Sequence, residues 1–323
     1  MDPWLTWTLA VVVPAVLLLA VFLVIDVGFR PKREPNTVHP ADIGLPCEDV
    51  ALAAVNGKAL TAWYIPPPVA VGRPAPAVAV MHGWGSNRSQ LLPVVAPLHT
   101  AGYALLLIDS RCHGDSAQDT FASMPRFAED LSTGVDWLRR RAEVDRDRIA
   151  VFGHSVGAGA ALLTASRRSD LVGAVSVSAF ADPEKIMRRF MERVRVPYRP
   201  LGWLVNRYVE WRIGWRFRDV APKNTIRRAL CPVLVLHGED DRMVPVGDAY
   251  IIHGNRRSDE DCELIVYTRC DHDSVERIEV AGPDILRFLS RVTGGGPRWQ
   301  APAARPPAAT APLVPAAAVS RPA

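Results

Sequence analysis

Residues 149–163 read IAVFGHSVGAGAALL and place Ser155 between an apolar strand and a helix of small residues. Gly153 and Gly157 flank the serine in the pattern Gly-x-Ser-x-Gly. A chain that turns sharply from strand to helix needs glycine on both sides, because a Cβ would clash with the nearby backbone. Such a turn exposes one hydroxyl and points the N–H of Val156 towards a developing oxyanion. The alternative is an ordinary glycine-rich helix start, but the flanking strand and helix favour an exposed nucleophile.

The segments on either side predict a mostly parallel sheet with flanking helices. Residues 48–54 and 58–65 are strand-like and meet at Asn56-Gly57, which is typical of a hairpin turn. Later apolar runs are bounded by turn residues, as buried strands are, and alternate with helical stretches. The runs are Ala77–Met81, Ala104–Ile108, Ile149–Phe152, Val172–Val177, Val233–Leu236 and Leu264–Tyr267, and one helical face carries Phe127, Leu131, Val135 and Leu138.

A second glycine-rich turn, His82-Gly83-Trp84-Gly85, follows the first of these runs. Taken alone, it would be an ordinary turn. A strand that ends in HGxG upstream of a serine turn, however, is where a second oxyanion donor is found. We therefore assign that role to the backbone N–H of Trp84.

A serine hydroxyl is a weak nucleophile, so it needs a base, and the base needs an orienting acid. Two later strands end in HGEDDRMVP and TRCDHDSV, which places acids and a histidine at strand ends where ligands gather. His272 is the predicted base, favoured over His253, which falls in a predicted helix. Asp241, Asp240 and Glu239 are the competing acids.

The sequence resembles the α/β-hydrolase superfamily over residues 47–292. Four stretches carry the resemblance: HGWGSNR, IDSRCHGDS, GHSVGAGA and HGEDDRMVP. The acid in the superfamily pattern, shortly before Val-Pro, corresponds to Asp241. The SNR after HGWG, the PYRPLGWLV stretch and the apolar N-terminus are most similar to the Bem46/ABHD13-type branch, which is related to prolyl-oligopeptidase-like esterases. One position departs from the pattern, because Cys112 stands where glycine is usual.

The resemblance also implies a helical cap over the site, formed by residues 181–230. Within it, residues 184–228 carry thirteen Lys or Arg against four Asp or Glu, with aromatic residues interleaved. This composition fits a surface at an anionic bilayer. It fits equally a solvated basic face whose aromatic residues pack on the core.

Residues 4–25 (WLTWTLAVVVPAVLLLAVFLVI) are uncharged and long enough to cross a bilayer. A cleaved signal peptide is the alternative, but there is no basic start and no Ala-x-Ala site. We therefore predict a single-pass transmembrane anchor, followed by a linker at 26–46. Arg30, Lys32 and Arg33 follow the span, which predicts a cytoplasmic catalytic domain.

Composition narrows the remaining possibilities. The net charge of +4 argues against a nucleic-acid-binding protein. Five cysteines without a CxxC pair argue against a disulfide framework or a zinc site. The Pro/Ala-rich residues 293–323 are predicted to be a disordered tail.

Together these features predict a membrane-anchored serine hydrolase that cleaves carboxylic esters, with thioesters or amides as further substrates. No metal or organic cofactor is expected, and the partner is a small-molecule or lipid-like acyl substrate. A serine peptidase or an acyltransferase would use the same Ser155, Asp241 and His272, and a non-catalytic membrane scaffold is a further alternative.

Overall fold

A computed structural model describes residues 2–68, 74–193, 195, 197–258, 261–272 and 278–294. Within them the chain forms one eight-stranded sheet in the order β1-β2-β4-β3-β5-β6-β7-β8. The β1–β2 and β2–β4 pairs are antiparallel, and all later pairs are parallel. The strands are β1 Glu48–Ala53, β2 Ala59–Ile65, β3 Ala75–Met81, β4 Ala104–Ile108, β5 Val144–His154, β6 Gly173–Val177, β7 Val233–Gly238 and β8 Cys262–Tyr267.

Helices cover both faces of the sheet. Consecutive residues of each central strand point to opposite sides, so each of these strands contributes side chains to a core on either face. In β3, Ala79 and Met81 belong to one core cluster, whereas Val78 and Val80 belong to the other. The predicted α/β class and the predicted hairpin are therefore confirmed. The helices are α1 Pro3–Gly28, α2 Leu92–Thr100, α3 Met124–Leu138, α4 Val156–Ala165, α5 Pro183–Arg193, α6 Trp203–Ile213, α7 Phe217–Val220, α8 Pro222–Thr225, α9 Gly247–Gly254 and α10 Ile278–Val292.

Helices α5 to α8 form the cap, defined as residues 181–230 between β6 and β7. Its apolar centre consists of buried Met191, Val205, Val209 and Phe217. Ion pairs fix it to the rest of the protein, since Arg189 pairs with buried Asp248 of α9 at 2.9 Å. The cap thus has its own small core and lies at the carboxyl ends of the parallel strands.

The membrane anchor predicted at residues 4–25 is not supported. Of the helices that the structure describes, none combines the length and the apolar character that crossing a membrane requires. The single-pass membrane location inferred from the sequence is therefore wrong, and the cytoplasmic placement of the catalytic domain, which was inferred from that span, loses its basis. The apolar run forms α1, whose last turns pack on the cap, and Asp26 in those turns bonds to Tyr208 (3.1 Å) and Arg212 (3.2 Å).

The basic residues that suggested a membrane topology bind the protein itself. Arg33 donates to the carbonyls of Gly114 and Ser116, both at 2.6 Å, and Arg30 donates to Thr120. Hydropathy and charge counts treat each residue separately and so miss such tertiary partners. The segment predicted as a linker at 26–46 packs on the loop between β4 and α3. Of the predicted tail at 293–323, residues 295–323 lie outside the described residues.

Cys112 has a left-handed backbone, with φ of 68°. This conformation is costly for a residue with a Cβ, which explains why the superfamily pattern has glycine here. The side chain is fully buried, and its Sγ accepts from the N–H of Asp119 at 3.3 Å. The unusual residue therefore lies within the loop between β4 and α3, where its sulfur is held by the backbone of the same loop.

We predict that Cys112→Gly is more stable than Cys112→Ala by about 1 kcal/mol. Both variants lose the sulfur, but only alanine keeps a Cβ in the left-handed conformation. The matched control is Ser132, inside α3, where alanine should be more stable than glycine by about 1 kcal/mol. Denaturant unfolding of the four variants measures both differences. Alanine ranking above glycine at position 112 would contradict the assigned strain.

Candidate active site

Ser155 lies at the turn between β5 and α4, in a strained backbone conformation with φ of 54° and ψ of −116°. Its N–H donates to the carbonyl of Val177 at 2.8 Å, which fixes the turn to β6. A Cβ on Gly153 would lie 2.0 Å from the carbonyl oxygen of Gly157. A Cβ on Gly157 would lie 2.4 Å from the carbonyl oxygen of His82, at the end of β3. Only glycine fits at either position, so the motif follows from the geometry of the turn.

His272 joins the serine to an acid. Its Nε2 lies 3.0 Å from Ser155 Oγ, and its Nδ1 lies 2.7 Å from Asp241 Oδ2. The carboxylate accepts, so Nδ1 carries the proton and Nε2 is left to accept from the hydroxyl. The three residues follow β5, β7 and β8, whose carboxyl ends meet at one edge of the sheet. The structure thus brings together the three predicted residues in the geometry of a nucleophile, base and orienting acid.

The environment of Asp241 keeps this carboxyl ionised. Burial raises its pKa, but hydrogen bonds from His237, His272 and the Val244 N–H outweigh burial and hold the pKa well below its usual range. The N–H groups of Met243 and Val244 donate to Oδ1 at 2.9 and 2.7 Å. A permanently charged acceptor therefore faces His272 across the neutral pH range.

The competing residues are placed differently. Asp240 and Glu239 have exposed side chains, whereas Asp241 is 5% exposed. His253 lies on α9, where its ring nitrogen Nδ1 contacts Arg256. Burial beside a histidine, which the sequence does not reveal, distinguishes Asp241 from its neighbours.

The turn after β3 is held by a buried histidine. His82 Nδ1–H donates to the carbonyl of Gly83 at 2.7 Å, and its Nε2 accepts from the N–H of Ser110 at 3.1 Å. Burial lowers the pKa of His82, consistent with this neutral form. Within the described residues, the N–H groups of Trp84 and Val156 donate to no protein acceptor. They are thus available to a ligand oxygen, as the predicted oxyanion donors must be.

The stretches HGWGSNR and IDSRCHGDS meet in a buried ion pair. Arg88 Nη1 lies 2.9 Å from Asp109 Oδ2, and the backbone N–H of Arg88 donates to Asp109 Oδ1 at 2.8 Å. Two hydrogen bonds from one residue to one carboxylate fix the turn after β3 relative to the end of β4. The orientation of Trp84 therefore depends on this pair.

Two histidines that the sequence analysis did not identify, His154 and His237, contact His272 and Asp241 of the candidate triad. His154 Nε2–H donates to the carbonyl of His272 at 3.2 Å. His237 Nε2 lies 2.8 Å from the carbonyl of Val244 and 3.4 Å from Asp241 Oδ2. The available signals were the histidine next to the serine in GHSVG and the four-residue spacing of His237 and Asp241. Neither signal is specific without coordinates.

Comparisons with known proteins agree with this architecture. The family described as "Serine aminopeptidase, S33" matches residues 72–215. The uncharacterized protein MT2364 of Mycobacterium tuberculosis is 30% identical over 216 residues, which cover 67% of each chain. The structure of the Pyrococcus furiosus esterase Pf2001 is similar with a TM-score of 0.64 and 26% identity, covering 82% of this chain and 98% of that one. A puromycin-hydrolyzing peptidase of M. tuberculosis shares the fold at 16% identity and a TM-score of 0.62, covering 79% of this chain and 40% of that one.

The chain belongs to the α/β-hydrolase superfamily. This confirms the predicted superfamily and its mostly parallel sheet. The family match ends at residue 215, before both Asp241 and His272. For these two residues the support is therefore their geometry around Ser155.

Buried neutral histidines should make the stability of the protein depend on pH. Burial, followed by the nearby His272, lowers the pKa of His154 from 6.5 to about 4. Because the unfolded state then binds the proton more tightly, this group favours unfolding increasingly as the pH falls from 6.5 towards 4. Above that window both states are neutral and the effect vanishes.

We predict that His154→Gln removes this dependence and keeps an N–H donor for the carbonyl of His272. From about pH 8 to about pH 5, the wild type should lose about 2 kcal/mol more stability than the variant. Denaturant unfolding at both pH values measures this difference. At about pH 8 His154 is neutral in both states, so any difference in stability between the wild type and the variant there comes from a change in packing. Equal losses in the two proteins would show that His154 titrates normally in the folded state.

Proposed function

We propose that the protein is a serine hydrolase that cleaves carboxylic esters through an acyl-enzyme, with Ser155 as nucleophile. The observation that carries the proposal is the continuous chain of hydrogen-bond contacts from Ser155 through His272 to Asp241. Similarity to the esterase Pf2001 supports the ester as the substrate class. We expect a small-molecule or lipid-like acyl substrate.

The geometry allows a complete reaction sequence. Ser155 Oγ attacks the carbonyl carbon while His272 Nε2 takes its proton, and Asp241 stabilises the resulting imidazolium. His272 then gives the proton to the leaving alcohol, and the acyl group stays on Ser155. A water molecule that His272 deprotonates attacks the acyl-enzyme, which releases the acid and restores the serine.

The developing negative charge needs donors that are already in place. The N–H groups of Val156 and Trp84 flank the serine from the start of α4 and the turn after β3. Donors fixed before the reaction need no reorganisation, and losing one such donor in another serine hydrolase costs about 3–4 kcal/mol in the barrier. We therefore propose these two N–H groups as the oxyanion hole.

A peptidase acting through the same residues is the second candidate. The serine aminopeptidase family description and the fold of the puromycin-hydrolyzing peptidase support it. Ester and amide substrates that share one acyl group separate the two candidates, since a peptidase should turn over the amide at a comparable rate. Thioesters and acyl transfer to another acceptor can be compared in the same assay.

The assignment to the Bem46/ABHD13-type branch and the contact of the basic cap with a membrane also stay proposals. The Bem46/ABHD13-type placement rests on the SNR after HGWG and on the cap sequence. For the basic cap we favour a solvated face, because several of its cations are already paired within the protein. These pairs are Arg189–Asp248, Arg207–Glu210, Arg212–Asp26 and Lys223–Asp182.

We predict that Ser155→Ala, His272→Ala and Asp241→Asn each lower kcat/KM for a p-nitrophenyl ester on the order of ten-thousand-fold. The matched controls His253→Ala and Asp240→Asn should stay within about threefold of the wild type, because they lie outside the chain of contacts. Steady-state kinetics on folded variants measures all five. A larger loss of kcat/KM at Asp240 than at Asp241 would show that Asp240 is the acid of the triad. A Ser155→Ala variant that stays active would show that Ser155 is not the nucleophile.

A further inference from the structure

The last turns of α1 and the residues that follow them connect the cap with the turn that carries the proposed oxyanion donor. We define residues 22–36 as the strap. On the cap side, the rings of Phe22 and Tyr208 stack with centroids 4.3 Å apart, and Asp26 pairs with Arg212 at 3.2 Å. Ile25 and Phe29 pack against the apolar centre of the cap. One end of the strap is therefore fixed to the cap.

The other end of the strap is fixed to the sheet side of the site. The carbonyl of Phe29 accepts from the N–H of Ala122 at 2.8 Å, and Arg33 holds the loop at Gly114. Asn87, in the turn after β3, donates to the carbonyls of Glu34 and Pro35 at 3.1 and 3.0 Å. The backbone around Phe29 is thus fixed on both sides.

The ring of Phe29 meets Trp84. The two rings pack edge to face with centroids 6.4 Å apart, and Trp84 lies nearly parallel to Phe127 at 6.5 Å. Trp84 is 37% exposed and Phe29 is partly exposed, so both rings retain free apolar surface. Phe29 thus contacts the side chain of Trp84, the residue whose backbone N–H is proposed to bind the reacting oxygen.

We propose that Phe29 is a specificity-determining residue, which with Trp84 forms an apolar wall for the part of the substrate next to the scissile carbonyl. This inference rests on the proposed function, since it takes Trp84 as the oxyanion donor. In open α/β sheets the ligand enters at the carboxyl ends of the strands, where the cap and this turn face each other. Phe29 lies at that junction and contacts both. A bulkier or smaller side chain there changes the room for an apolar group and leaves the triad untouched.

The test uses the full chain with Phe29→Ala, Phe29→Leu and Phe29→Trp, and with Val27→Ala as the matched control. Val27 lies two positions away and is 66% exposed. Two substrate series are assayed: p-nitrophenyl esters of increasing acyl length, and acetate esters of increasingly bulky alcohols. Thermal unfolding of each variant checks the fold, and Phe29→Leu keeps an apolar side chain if alanine destabilises the protein.

In one of the two series, Phe29→Ala should shift the ratio of kcat/KM for long over short substrates by about fivefold or more, mainly through KM. Phe29→Trp should shift the same ratio in the opposite direction, and Val27→Ala should leave it unchanged. A parallel change across all substrates, or no change in either series, would overturn the role of Phe29. If the wild type itself hydrolyses none of the esters, the proposed function fails instead, so the two failures are distinguishable.

Discussion

The close approach of the turn at Ser155 to the end of β3 is the constraint on which the site depends. Ser155 adopts a strained conformation, and such strain costs about 1–3 kcal/mol and persists only where the surrounding structure enforces it. The enforcement comes from packing, because Gly157 lies directly against the carbonyl oxygens of Met81 and His82. The same contact places the turn that carries Trp84 beside the start of α4, where the N–H of Val156 lies; a Cβ on Gly83 would lie 3.2 Å from Ser155 Cβ. The packing that enforces the strained turn at Ser155 therefore also positions the proposed oxyanion hole.

Buried histidines extend this arrangement beyond the triad. His82 orders the turn after β3, His154 holds the backbone of His272, and His237 lies beside Asp241. His82 and His154 can each donate from one ring nitrogen without introducing a charge that would compete with the imidazolium of His272. Low pKa values at His82 and His154, caused by burial, keep this support neutral at the pH where the base must act.

Much of the site could be predicted because its features are local in sequence. Gly153 and Gly157 indicate the turn at Ser155, and buried runs bounded by turn residues indicate where the strands lie along the chain. The choice of Asp241 over Asp240 needed the resemblance, since only burial and the contact with His272 separate the two. His154 was missed because its partner, the carbonyl of His272, lies 118 positions away. His237 was missed although Asp241 lies only four positions away, because that spacing is not specific without coordinates.

For the N-terminal segment, predictions from the local sequence failed. Its apolar run and its cations were interpreted independently, as an anchor and as a topology signal. In the fold, Asp26, Phe29 and Arg33 each have partners far along the chain, in the cap and in the turns around the site. A segment predicted to be a spacer is thus packed between the cap and the proposed oxyanion turn.

The central claim is that Ser155 is an activated nucleophile, and covalent trapping tests it most directly. The full-length protein is treated with a fluorophosphonate probe, digested and mapped by mass spectrometry. The account predicts one adduct, on Ser155, that forms much more slowly in His272→Ala and is absent in Ser155→Ala. An adduct on a different residue, or equally fast labelling without His272, would contradict the account.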